Sequence, residues 1–228
     1  MQEPAECSVK WLRDNSLTVV LAVATVATLV GMLFTGLSVY NEELAQHQRP
    51  AVGIAAYLVS GHFLSAVFEN WESEFLQMSA YVVLTAFLFQ RGSAESRDPD
   101  RKTEPQDEEP ACHRGDRNAP LPVRLGGIAR TLYSYSLGIV LFALFLFSFV
   151  LHMRYSAAAQ ATEAALHGRA APGLLQHLGS AQFWFESFQN WQSEFLSTAA
   201  IVILSIFLRY RGSPESKPVA APHSQTGD

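Results

Sequence analysis

The sequence predicts an all-α membrane protein with four transmembrane helices, arranged as two parallel repeats of two helices each. Three observations lead to this prediction. The 228 residues are 49% hydrophobic and only 16% charged, and the charges avoid four apolar stretches. The second half of the chain repeats the first at an offset of 120 residues. Lysines and arginines concentrate on one side of the apolar stretches.

The repeat is clearest in two short motifs. NWESEFL at 70–76 returns as NWQSEFL at 190–196, and RGSAES at 91–96 returns as RGSPES at 211–216. Across the 27 positions from 70 to 96, 16 residues are identical to their partners. Such self-similarity indicates that a structural unit is duplicated. Because the copies include long apolar runs, we expect that unit to be a piece of a membrane protein.

The apolar stretches set the predicted transmembrane helices. Residues 16–39 and 134–151 carry no charge, and about 20 apolar residues are enough to cross a hydrocarbon core. The runs at 75–89 and 195–208 are shorter, so their helices must begin upstream. The predicted helices are 16–39 and 73–90 in a first repeat (1–90), and 132–153 and 192–210 in a second repeat (131–211).

The basic residues set the predicted orientation. Thirteen lysines and arginines flank the stretches on one side and three lie on the other. The positive-inside rule then places both termini and residues 91–130 in the cytoplasm. The two repeats are therefore parallel, related by a pseudo-two-fold axis along the membrane normal.

The polar segments outside the spans have two predicted forms. Residues 91–130, with eight basic and eight acidic side chains, and residues 212–228 cannot bury enough apolar surface to order themselves. We predict a disordered cytoplasmic linker and tail; a docking or lipid-contacting arm is the alternative for the linker. Residues 53–72 and 173–191 are predicted to be amphipathic helices, either interfacial, re-entrant or continuous with the following span.

A stripe of polar residues precedes each short span. Glu186, Asn190 and Glu194 recur every four residues, as do Asn70 and Glu74 in the first half, and this spacing places each set on one helix face. These five residues form the candidate polar site. Their carboxylates either face headgroups or cap a helix, or they form a site inside the membrane, where ionisable groups are often functional.

The ends of the short spans carry typical interface residues. Trp71, Trp191 and Trp184 are predicted to anchor the outer boundary of the membrane as an aromatic belt. Arg91 and Arg211 follow the spans, and we expect them to extend to the inner boundary.

Motifs for common enzymatic chemistry are absent from the sequence. It has no Walker A loop, Rossmann glycine pattern or HExxH motif. The two cysteines are isolated and the seven histidines lack metal-ligand spacing. We therefore expect no enzyme activity, no cofactor and no metal. With a net charge of −5, the chain has no basic surface of the kind that binds nucleic acid.

The NWxSEF and RGSxES elements, in particular FWFESFQNWQSEFL at 183–196 and RGSPESK at 211–217, resemble a bacterial family of small integral membrane proteins. That family is known only as a domain of unknown function. The resemblance implies a multi-pass protein of the inner membrane and brings no activity or site residues with it.

Two hypotheses for function follow. The first is a structural or accessory membrane component, because catalytic motifs are absent while aromatic anchors and small-residue helix faces are present. The alternative is a conduit for protons or small cations that uses paired carboxylates at the repeat interface. The expected partners are the lipid bilayer and either a second copy of the chain or an unidentified membrane protein.

Overall fold

The structure is a computed structural model that describes residues 10–100 and 109–227. Within these ranges it is helical and contains no β-strand. The α-helices are α1 (Ser16–Gln46), α2 (Ile54–Leu58), α3 (Gly61–Phe87), α4 (Leu121–Leu125), α5 (Gly127–Ser134), α6 (Ser136–Leu166), α7 (Leu174–Leu178) and α8 (Ala181–Phe207), with one 3₁₀ turn at Cys112–Gly115.

Three helices in the first half have counterparts of equal length in the second. Helices α1 and α6 have 31 residues each, α2 and α7 have five, and α3 and α8 have 27. Every pair of bounds differs by the same 120 positions. The starts of α3 and α8 also share a cap: the hydroxyls of Ser60 and Ser180 accept from the amides of Phe63 and Phe183, both at 3.2 Å. Equivalent sequences therefore form equivalent local structure.

Helices α1 and α6 are each long and apolar enough to cross a membrane. Both continue past the C-terminal ends of the predicted spans of 16–39 and 132–153, to Gln46 and Leu166, whereas α6 begins at Ser136 and not at 132. At about 1.5 Å per residue, 31 residues reach about 46 Å, well beyond the hydrocarbon core.

The segments that precede the short spans are mostly continuous with them. Only the five residues of α2 and of α7 are separate. From Gly61 and from Ala181, a single helix runs through the predicted amphipathic segment and the predicted span. In each half the structure therefore has one continuous helix over these residues, and its position relative to a membrane stays a prediction.

The disorder expected of 91–130 and 212–228 stays a prediction, although part of the first segment has helical structure. Between 109 and 130 it has the 3₁₀ turn, α4 and the start of α5, whereas residues 101–108 lie outside the described residues. Pro122 lies in the first turn of α4, where a missing N–H has little cost, and Gly126, with φ of 70°, ends the helix. Local turn chemistry thus explains a short helix within a segment whose composition is polar.

The chain divides into two compact units, each built from two stretches of sequence. The first unit comprises the described residues up to Ala66 together with Tyr155–Pro172. In this unit the backbone of α3 at Gly61 lies close to the backbone of α6: a Cβ on Gly61 would lie 2.5 Å from the amide nitrogen of Ala159. Only glycine permits this approach.

Side chains in the first unit also link equivalent positions. The rings of His47 and His167, which are 120 residues apart, meet edge to face with centroids 5.0 Å apart. Tyr57 is buried and its hydroxyl lies against Gly36 and 2.9 Å from Nδ1 of His62. Burial raises the pKa of Tyr57, and the neighbouring Tyr40 adds to that rise.

The second unit comprises Val67–Arg154 and the chain from Gly173 onward. Its interior combines aromatic rings with buried polar groups. Phe183 is fully buried, and so are Glu72 and His152. A buried charge is costly unless it is paired and hydrogen-bonded. Glu72 and His152 must therefore have partners, and their surroundings form the candidate site.

Candidate functional site

The imidazole of His152, in α6, lies between two carboxylates. Its Nδ1 is 2.7 Å from Oε2 of Glu72 in α3, and its Nε2 is 3.6 Å from Oε2 of Glu186 in α8. The first distance is a short hydrogen bond, whereas the second exceeds direct hydrogen-bond length. The side chains of Glu72 and His152 have no exposed surface, while that of Glu186 is 24% exposed. One ring therefore connects a buried carboxylate with a partly accessible one.

Both oxygens of Glu72 have donors. Oε2 faces His152, and Oε1 accepts from the indole Nε1 of Trp191 at 2.9 Å. Two donors on a buried carboxylate offset part of the cost of removing it from water. These two hydrogen bonds also fix the orientation of the Glu72 carboxylate toward α6 and α8.

Two pairs of a carboxylate and a side-chain amide extend the site. The side-chain amide of Asn190 donates to Oε1 of Glu69 and to the backbone carbonyl of Glu186. Gln182 donates to Oε1 of Glu186 at 2.8 Å. We define the carboxylate–imidazole cluster as His152, the three carboxylates around it and the two side chains that donate to Glu72 and Glu69: Glu69, Glu72, His152, Glu186, Asn190 and Trp191.

Aromatic rings pack against the cluster. The ring of Phe183 lies 5.0 Å from that of His152, with an angle of 33° between the planes. Phe149 lies 5.6 Å from Phe183, and Phe145 lies 6.3 Å from Trp191. This apolar wall lowers the local dielectric, so the hydrogen bonds of the cluster are stronger than they would be in water.

Polar contacts continue from the cluster along α3 and α8. The amide of Gln77 donates to the hydroxyl of Thr198. Further along, the hydroxyl of Tyr81 donates to Oε2 of Glu95 at 2.6 Å, in the loop after α3. The α3–α8 polar seam is the row formed by Glu69–Asn190, Glu72–Trp191, Gln77–Thr198 and Tyr81–Glu95.

The seam has a regular register. Its three helix-to-helix pairs are 121, 119 and 121 residues apart in sequence, close to the 120-residue offset between the halves. Within the second unit, α3 and α8 are therefore parallel and face each other at nearly equivalent positions.

A comparison with protein families places the chain in a known family. A family described as a domain of unknown function (DUF6766) matches residues 8–228. The chain belongs to this family. The expected membership in a family of unknown function is therefore confirmed. Searches of curated proteins and of solved structures found no significant match.

In this DUF6766 chain, two of the five predicted site residues belong to the cluster. Glu186 faces His152 and Asn190 bonds to Glu69. The other three lie outside it. Glu74 and Asn70 are exposed and Glu194 is half-buried, and the charges of Glu74 and Glu194 interact with each other.

The predicted anchor residues have varied surroundings. Trp191 and Trp184 direct their indole N–H groups inward, to Glu72 and to the carbonyl of Leu178, whereas Trp71 is 39% exposed. Arg91 is exposed and pairs with Asp100 at 2.6 Å, and Arg211 is also exposed. Their roles at a membrane boundary stay predictions.

Three members of the cluster were not among the predicted site residues. Glu69, Glu72 and His152 correspond to Gln189, Gln192 and Met32 in the other half. A search for acidic residues at equivalent positions of the two halves therefore does not identify these three residues. One signal in the sequence does point to His152: it follows directly after the uncharged stretch 134–151, where an ionisable residue is a candidate functional group.

The cluster contains three carboxylates and one imidazole but lacks the geometry of a metal site. In the described parts of the chain, no group of three or more His, Cys, Asp or Glu side chains could hold a metal ion. The donors from Trp191 and Asn190 occupy carboxylate oxygens that a cation would need. The arrangement instead suits the movement of protons between hydrogen-bonded groups.

Proposed function

We propose that this protein is a four-span membrane protein that conducts protons through the carboxylate–imidazole cluster and along the α3–α8 polar seam. Helix length supports four spans, because α3 and α8, with 27 residues each, reach about 40 Å at 1.5 Å per residue. Polar residues, such as Glu72 in α3 and Asn190 in α8, make these two helices less apolar than α1 and α6, and both of these side chains have hydrogen-bond partners within the protein.

The proposed orientation follows from the lysines and arginines. With thirteen on one side and three on the other, both termini and residues 91–130 lie in the cytoplasm of a bacterial inner membrane. His152 lies 16 residues after the first residue of α6, about 24 Å along the helix. The cluster then lies toward the outer boundary, and the seam runs inward from it.

The observation that carries the proposal is the imidazole of His152 between Glu72 and Glu186. A neutral imidazole has one N–H donor and one acceptor nitrogen. When Nδ1–H donates to Glu72, Nε2 is free to take a proton from a protonated Glu186. The ring can then release its Nδ1 proton to Glu72, which moves one positive charge across the imidazole. This transfer requires a side-chain rotation of Glu186 that shortens the 3.6 Å gap.

The same contacts favour protons over small cations. A cation replaces the hydration shell with several oxygens, but Glu72 already uses one oxygen for an indole N–H and the other for an imidazole. Protons pass between hydrogen-bonded groups without displacing them. Beyond the cluster, the charges of Glu74 and Glu194, the hydroxyl of Thr198 and the Tyr81–Glu95 pair offer further groups along the seam.

Flux measurements in proteoliposomes test this proposal. We expect that a membrane potential, set by potassium and valinomycin, drives proton uptake that a trapped pH dye records. His152→Gln and Glu72→Gln keep the approximate size of the side chains but remove the relay, so the flux is expected to fall to the level of empty liposomes. Glu163→Gln, an exposed residue at the end of α6, is the matched control and is expected to retain the wild-type flux.

A wild-type chain that conducts no protons in correctly inserted vesicles would overturn the proposal. So would unchanged flux in both cluster variants, provided that size-exclusion profiles show folded protein. If sodium flux instead depends on Glu72, the site is a cation path and the proton relay is wrong.

A structural or accessory role is the second proposal. Its support is α1: within the described residues, no side chain of its most apolar 18-residue window is buried, which leaves most of that surface available to lipid or to another membrane protein. Co-purification of a stoichiometric membrane partner, together with an absence of flux, would favour this role.

A further inference from the structure

Residues 217–227, which we call the clasp segment, pack on the loop that follows α3. Lys217 is buried, and its ammonium donates to the carbonyls of Gly92, His223 (3.1 Å) and Gln225 (2.9 Å). An ammonium has three N–H donors, so each of them is used. Lys217 therefore joins the two ends of the clasp segment to the loop.

Backbone groups of the loop also bond to the clasp segment. The amide of Gly92 donates to the hydroxyl of Thr226 at 2.9 Å, and the amide of Gly227 donates to the carbonyl of Ser93 at 2.9 Å. Gly92 has a φ of +84°, and a Cβ there would lie 2.7 Å from the carbonyl oxygen of His223. Glycine is therefore required at this position both by the backbone angle and by the close contact.

This loop forms the end of the polar seam. Glu95 accepts from Tyr81 in α3, and the hydroxyl of Ser93 lies 2.9 Å from that of Ser205 in α8. Ser93 is fully buried and Ser96 nearly so. The clasp segment thus lies over the point where the two helices of the seam end.

The clasp segment also brings positive charge to this point. The partners of Lys217 are neutral carbonyls, and the guanidinium of Arg209 donates to the carbonyl of Ala221 in the same segment. Burial lowers the pKa of Lys217, and the nearby Arg209 lowers it further. Positive charge at the mouth of a pathway, here from Lys217 and Arg209, is an electrostatic barrier to cations and protons.

We propose that the clasp segment is a gate: bound through Lys217, it closes the cytoplasmic end of the α3–α8 polar seam, and its release opens that end. This inference rests on the proposed function, because a gate requires a conducted ion. The repeated RGSxES loop supplies a natural comparison, since Arg97, the equivalent of Lys217, is exposed.

The test compares Lys217→Met with the matched control Arg97→Met in the full chain. Hydrogen exchange of residues 90–97, measured by mass spectrometry in nanodiscs, reports release of the clasp segment independently of transport. Hydrogen bonds to charged groups contribute enough that their loss is expected to accelerate exchange by about tenfold. Proton flux in proteoliposomes is expected to rise several-fold in Lys217→Met, and both quantities are expected to stay at the wild-type value in Arg97→Met.

Three results would overturn the gate. Unchanged exchange in Lys217→Met would show that Lys217 does not hold the segment. Accelerated exchange with unchanged or reduced flux would show that the segment is attached but does not close the path. Accelerated exchange without flux in either the wild type or the variant would refute the proposed function, and with it the gate, while the attachment itself would stand.

Discussion

The indole nitrogen of Trp191 lies 2.9 Å from Oε1 of Glu72, a carboxylate with no exposed surface. Its equivalent in the first half, Trp71, is 39% exposed and packs edge to face on Phe68, with centroids 5.6 Å apart. The same residue type at equivalent positions therefore has two roles. One tryptophan supports a buried charge, and the other presents a ring at the protein surface.

Replacing each tryptophan by phenylalanine separates these roles. Trp191→Phe keeps a ring but leaves Oε1 of Glu72 buried without its indole donor, which costs about 1–3 kcal/mol. Trp71→Phe removes no bond to Glu72, and a change of less than about 0.5 kcal/mol is expected. Thermal unfolding in detergent measures both. Equal losses of stability in the two variants would contradict the assignment of Trp191 to Glu72.

Two glycines in helices differ sharply in the space around them. A Cβ on Gly61 would meet the backbone of Ala159 and Ala158 at 2.5 and 2.9 Å, whereas one on Gly31 would meet nothing within 4 Å. Gly61→Ala forces backbone atoms apart and is expected to destabilise the protein by about 1–3 kcal/mol. Gly31→Ala is expected to cause no loss. Melting temperatures compare the two, and a stable Gly61→Ala variant would refute the close approach of α3 and α6 there.

A third prediction is a rescue. An added methyl on Gly36 collides with the hydroxyl oxygen of Tyr57, the atom that also lies 2.9 Å from His62. Gly36→Ala is therefore expected to destabilise the first unit. Tyr57→Phe removes the colliding oxygen at the cost of one hydrogen bond, about 0.5–1.5 kcal/mol.

The double variant should consequently be more stable than the sum of the two single losses implies. A double-mutant cycle measures this coupling. Additive losses would mean that Tyr57 does not lie against Gly36.

The orientation can be tested with a native cysteine. Cys112 is an exposed free thiol in the segment that we place in the cytoplasm. After Cys7→Ser, a membrane-impermeant maleimide should label Cys112 in inverted vesicles but not in intact cells. Labelling from outside intact cells would reverse the proposed orientation, and a Cys112→Ser chain controls for non-specific reaction.

Local chemistry explains which parts of the fold follow from the sequence. The uncharged stretch 16–39 predicts a long helix, and the structure extends it to Gln46. The four-residue spacing of Glu186 and Asn190 places them on one face of α8, and both belong to the cluster. Spacing identifies residues that share a face, because the helical period alone determines that relation.

Contacts between helices do not follow from that period. Glu72 bonds to His152 and Trp191, which are 80 and 119 residues away, and no local pattern specifies those partners. The short helix α4 was also not predicted, because average composition conceals the local effect of Pro122 and Gly126. Long-range contacts between side chains and single turn residues thus account for the main differences between the predicted and the observed structure.

The edge-to-face contact of His47 with His167 has a consequence for which substitutions the two halves of the chain can accept. Identical side chains that touch at equivalent positions are what two subunits of a symmetric homodimer provide at their axis. In a true homodimer, each substitution occurs twice. Here, with both copies in one polypeptide, Glu72 and His152 can stand opposite Gln192 and Met32 in the alignment of the halves. A single polypeptide that contains both halves can thus have one charged centre where obligatory symmetry would impose two.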